Sequence, residues 1–182
     1  MTHELLTINT KDGAMAYSLA DIDVINPEPW MLGNGYHWTG KLILALELQS
    51  GNTDKKELDM DLHSVWRQSD VRYILHANGE LDHANDIKTS DDYTLSAKSD
   101  RFLSDTTYAG ANLYFEADDF AHLKRRAMFS AYYGKQWWSK PRFRFSTEPG
   151  LAVVSESRTD LEKVTYLAFS WNIDMHSNVL GP

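Results

Sequence analysis

The feature that most constrains this chain is an alternation with a period of two residues that recurs over long stretches. In Lys41-Leu42-Ile43-Leu44-Ala45-Leu46-Glu47-Leu48-Gln49 a leucine stands at every second position. Successive side chains of a strand point to opposite faces, so the leucines share one face and Lys41, Ile43, Ala45 and Glu47 the other. The following stretch repeats the pattern, with Leu58, Met60, Leu62 and Trp66 on one side and Asp59, Asp61, His63 and Arg67 on the other. Both read as strands with one face on a core. The turn cluster Ser50-Gly51-Asn52-Thr53-Asp54 between them predicts antiparallel pairing.

Further along, Val71, Tyr73 and Leu75 alternate with Arg72, Ile74 and His76, and Asn78-Gly79 supplies a two-residue hairpin signal. Residues 84–111 are polar and read as a long irregular excursion with one short strand. Asn112 to Glu116 reads as a strand, after which the period changes. Phe120, Leu123, Ala127, Met128 and Ala131 fall three and four apart, the spacing of one helical face, with Asp118 or Asp119 as N-cap and Gly134 as a stop. Pro141-Arg142-Phe143-Arg144-Phe145 alternates again, Glu148-Pro149-Gly150 reads as a turn, and Lys163 to Ile173, apolar on both faces, predicts a central strand. Leu5 to Ile8 and Met15 to Ile25 are further strands. The expectation is one mainly-β domain over residues 1–182, an antiparallel β-sandwich or β-barrel of about eight strands with one amphipathic helix at about residues 119–133.

Composition narrows the chemistry. The chain lacks cysteine, which excludes disulfides, thiolate metal sites and a cysteine nucleophile. The longest apolar run, Leu42 to Leu46, is far short of the roughly 18 residues a membrane-spanning helix needs, and Met1-Thr2-His3-Glu4 opens no signal-peptide pattern. Together these point to a cytoplasmic protein with no transmembrane segment. Formal charge is -8, but unevenly placed: residues 1–100 hold 17 acids and 8 bases, whereas Phe120 to Thr147 holds seven bases and no acid.

That basic segment is also aromatic. Tyr132, Tyr133, Trp137 and Trp138 offer flat contact area beside Lys135, Arg142 and Arg144, a combination that suits an anionic ligand or an acidic protein partner, including a second copy of this chain. Nucleic acid is a poor partner for so acidic a body. A rival constellation is Asp61, His63, Arg67, Arg72 and His76, where carboxylate, imidazole and guanidinium on strand faces could serve acid–base chemistry of isomerase, cyclase or lyase type in a polar pocket. Whether the Asp59, Asp61 and His63 face lines a cavity or meets solvent is not separable by alternation alone. No spacing of a metal site or a cofactor loop occurs, and no cofactor is expected. A third class is an acidic inhibitor or immunity protein acting through the first 100 residues.

The stretch from Val164-Thr165-Tyr166 through Ile173-Asp174 to Asn178-Val179-Leu180-Gly181 resembles the last strand pair of bacterial inclusion-body proteins of the AidA and PixA type, without their Gly-Asp-x-Ile-x-Trp motif. The resemblance implies a β-sandwich. The function expected from the residues is non-catalytic binding or self-assembly through the basic, aromatic surface.

Overall fold

Alternation proves to run through nearly the whole chain. A computed structural model describes residues 5–11, 13–18, 24, 26–140, 142–159 and 161–177. Two short strands, β1 (Leu5–Thr10) and β2 (Gly13–Ser18), pair with each other, and a 3-10 turn follows at Pro29–Leu32. Eight long strands come next: β3 (His37–Gln49), β4 (Lys55–Arg67), β5 (Val71–Ala84), β6 (Ile87–Phe102), β7 (Thr107–Asp118), β8 (Leu123–Lys140), β9 (Phe143–Arg158) and β10 (Val164–Ser177). They form one antiparallel sheet in which every strand lies beside its sequence neighbours, so that the sheet is a meander with β3 and β10 at its edges, and it is not closed. Residues 19–23 and 25, into which an N-terminal strand was expected to run, and 178–182 lie outside the described residues.

Several expectations are corrected here. The stretch expected as a helix at 119–133 is mostly strand β8. Its apolar residues sit three and four apart because both faces of the strand carry them: Ala127, Phe129, Ala131 and Tyr133 on one, Leu123, Met128 and Tyr132 on the other, with a bulge between Leu123 and Arg125. Residues 84–111, expected to be irregular, belong largely to β6 and β7, where Ser90, Asp92, Thr94, Ser96 and Asp100 face the polar side of the sheet. Asn78-Gly79 lies inside β5, opposite Asp61 and Met60. The turn falls instead at Asn85-Asp86, both with positive φ (51° and 61°), the two-residue connection whose twist matches the flanking strands. Glu148-Pro149-Gly150 is likewise inside β9, paired with β10. Finally, β10 is an edge strand despite its two apolar faces.

The register sorts the side chains into two surfaces. One carries Leu42, Leu44, Leu46 and Leu48 of β3, then Leu58, Met60 and Leu62 of β4, and continues through Tyr73, Leu95, Leu113, Phe129, Leu151 and Leu167. These residues are predominantly exposed, Leu44 at 64% and Leu167 at 79%. The other surface carries Arg72, Lys98, Asp100, Tyr108, Arg126, Tyr132, Glu148 and Glu156 and holds the two largest fully buried side chains, Tyr108 and Asp100. The usual distribution is therefore inverted: charge is sheltered and leucine is not.

Candidate functional site: a charged hollow on the polar face

Two tyrosine–glycine pairs organise the polar face. Tyr108 on β7 stands directly opposite Gly134 on β8, and two residues along, Gly110 on β7 stands opposite Tyr132 on β8. Each ring lies over the facing glycine: a Cβ on Gly134 would collide with the Tyr108 ring, and one on Gly110 would meet Tyr132 and the Asp100 carboxylate at 2.5 Å. With nothing beneath them, the rings cross the neighbouring strand and reach an acid on the strand beyond. Tyr108 Oη donates to Glu148 Oε1 of β9 at 2.8 Å, and Tyr132 Oη donates to Asp100 Oδ1 of β6 at 2.5 Å.

Cations complete the network. Arg72 of β5 holds Asp100 Oδ2 through Nε at 2.8 Å and Nη2 at 2.6 Å. Lys98 of β6 spans to both oxygens of Glu148, at 2.9 and 2.7 Å, and Asn172 of β10 donates to Glu148 Oε2 at 3.1 Å. Each carboxylate of the network is thus held by a cation and a tyrosine hydroxyl together.

A second cluster on the same face is balanced. Arg126 bonds Glu116 at 2.8 Å and Glu156 at 3.0 Å, and Arg158 bonds Glu156 at 2.5 Å. Between them lies a polar recess of about 320 Å³ lined by Ser96, Asn112 and Ser130. On the other side of the tyrosines, the polar face opens into a hollow of about 830 Å³ reached by side chains of every strand from β3 to β10.

Arg67 lies at that hollow and is the least compensated cation of the site. It stands directly opposite Arg72, its guanidinium stacks on Phe102 at 3.6 Å, and its only hydrogen bond among the described residues runs from Nη2 to the Ser69 carbonyl at 3.3 Å. Its Nη1 is buried without an acceptor. The opposite end of the polar face is acidic, with Asp59, Glu80, Asp92 and Asp118 on one rung of the sheet.

The structure brings Asp61, His63, Arg67, Arg72 and His76 together on the polar face of β4 and β5. His63 faces His76 with ring centroids 6.1 Å apart, and His76 Nε2 lies 3.3 Å from Asp61. The aromatic, basic set is divided. Tyr133, Lys135 and Trp137 belong to the apolar side, Lys135 over the Trp137 ring at 4.5 Å; Tyr132 is in the buried network; Trp138 and Arg144 line the hollow; Arg142 is in the β8–β9 turn. Asp100, Tyr108 and Glu148, the centre of the network, were not singled out by sequence. Their signal is the glycines Gly110 and Gly134, whose meaning depends on a register that the sequence does not print. Among the described residues no group of three His, Asp or Glu is placed to hold a metal ion, and no helix is long and apolar enough to cross a membrane.

Fold and site thus define a class: a single antiparallel meander with an exposed apolar face and a charge-bridged polar one. A family model described as "Protein of unknown function, DUF481" matches residues 43–180, and the chain belongs to that family. It is similar to the uncharacterized protein YdiY of Escherichia coli (strain K12), 25% identical over 140 residues, which is 74% of this chain and 56% of the relative. The chain therefore spans about half the length of the curated relative it matches. No solved structure matches it.

Proposed function

We propose that this sheet is part of the wall of a membrane-spanning β-barrel, its apolar face against lipid and its polar face lining the interior. The observation that carries the reading is an apolar band bounded by charge on one surface of the sheet. On β6, Asp91 and Arg101 bracket Tyr93, Leu95, Ala97 and Ser99; on β8, Arg125 and Lys135 bracket Ala127, Phe129, Ala131 and Tyr133. Ten residues cover roughly 34 Å along a strand at about 3.4 Å each. Tilted by about 35–45°, that is roughly 24–28 Å, the height of the apolar band in membrane barrels.

Aromatics gather toward one edge of the band. Trp38, Trp66 and Tyr73 stand on one rung, and Tyr133, Trp137 and Trp171 lie toward the same end of β8 to β10. Trp38 Nε1 donates to Ser64 Oγ at 2.8 Å and Trp137 Nε1 to Thr147 Oγ1 at 2.9 Å, so these two indole donors are paired within the sheet while their rings stay exposed, the amphipathic placement of an aromatic girdle. In a bilayer the free edges of β3 and β10 must also be paired, because lipid offers no hydrogen bonds. This reading places the chain in a membrane rather than in the cytoplasm, and a span made of strands needs no long apolar run.

The test is to dilute the urea-unfolded chain into phosphatidylcholine vesicles. The expected result is β-rich circular dichroism, flotation with the lipid, and retention at alkaline pH. A folded chain that stays in the aqueous phase as a monomer by light scattering would overturn the reading. An aqueous oligomer would do so too, and would favour the self-assembly expected from sequence, with the apolar faces covering one another.

A further inference from the structure

We infer that the hollow at the Arg67 end of the polar face binds a small anion bearing a phosphate or carboxylate group. Arg67 and Arg72 face each other across β4 and β5, yet among the described residues only one carboxylate, Asp100, lies within ion-pair distance of the two, and it is engaged by Arg72 and Tyr132. Lys98 is neutralised by Glu148. Arg144, which lines the same hollow, has no carboxylate within that distance among the described residues. Asp105 and Asp174 also line it, but they are exposed and neither pairs with an arginine.

The contrast with the Arg126 cluster gives this its force. There, two arginines share two glutamates on the same polar face, and charge is matched. Two facing, half-buried guanidinium groups with one carboxylate in ion-pair contact, Asp100 on the far side of Arg72 from Arg67, are unfavourable unless another anion approaches, since sheltered charge is stable only when paired. The guanidinium fork suits phosphate or carboxylate oxygens, and Trp138 and Phe145 on the hollow's wall offer flat faces to the rest of such a molecule. A hollow of about 830 Å³ has the volume of a small-molecule site. The inference uses only the polar face and goes beyond the membrane reading.

Inorganic phosphate is the probe, titrated by calorimetry into the full chain folded in nonionic micelles, with tryptophan fluorescence as a second readout because Trp30 and Trp138 line the hollow. Saturable binding is expected, weakened at least tenfold in Arg67→Gln, less in Arg67→Lys, and within twofold of wild type in Arg125→Gln on the opposite face. Should Arg67→Gln lose its β-sheet dichroism, Arg144→Gln carries the same expectation. A parallel titration with phosphatidylglycerol added to the micelles separates the sources: competition with phosphate identifies a lipid headgroup, and its absence a free anion, either supporting the site. No saturable binding by the wild type, or equal binding by Arg67→Gln, overturns it. Vesicle flotation is scored separately, so failure to insert with anion binding intact counts against the membrane reading alone.

Discussion

The two faces of this sheet are built from alternate residues of the same strands and obey opposite rules. Each apolar-face residue acts almost alone: Leu44, Leu113 and Leu167 are exposed, and in the proposed barrel they meet lipid outside the sheet. The polar face works as a unit, where Glu148 depends on Lys98, Tyr108 and Asn172, and Tyr108 depends on the absence of a side chain at Gly134. Substitutions should therefore add independently on one face and couple on the other.

The largest expected effect breaks the apolar face. Leu44→Arg, in the middle of the band, should destabilise the vesicle-folded chain by about 2–4 kcal/mol in denaturant titration, whereas arginine at a rim position costs only about 0–1. Equal effects at both positions would contradict a depth-dependent lipid face. Next, Gly134→Leu puts a side chain where the Tyr108 ring lies. Overpacking of this kind costs about 1–3 kcal/mol. The same titration in a Tyr108→Ala background should recover much of that loss, because the collision is gone.

Of similar size, Tyr132→Phe removes the donor to Asp100 and leaves a buried oxygen unpaired, a loss of about 1–3 kcal/mol. It should be non-additive with Arg72→Gln, which acts on the same carboxylate, and additive with Leu44→Arg.

Much of β3, β4 and the start of β5 was legible because their leucines and aspartates alternate cleanly. Strand β8 was not, since Ala127 and Met128 are adjacent, apolar and on opposite faces, and a two-sided strand then counterfeits helical spacing. Asn78-Gly79 has the composition of a turn, but Gly79 packs against Tyr93 across the β5–β6 pair. In the site, Arg67, Arg72, Trp138 and Arg144 could be named from sequence as chemically capable. The acids at the centre of the network, Asp100 and Glu148, are 48 positions apart and are reached by tyrosines that cross strands, which no local pattern records.

By itself the sequence determined the period, and with it which residues share a face, because side-chain direction in a strand depends only on parity. It also determined which chemistries were closed, through the missing cysteines. It could not decide which face is sheltered. A leucine row opposite an aspartate row is the same string whether the leucines meet a core or an apolar solvent. Only the tertiary structure decides, by placing the leucines on the exposed side of a single layer of eight strands and drawing the charges of β5 to β10 together on the other.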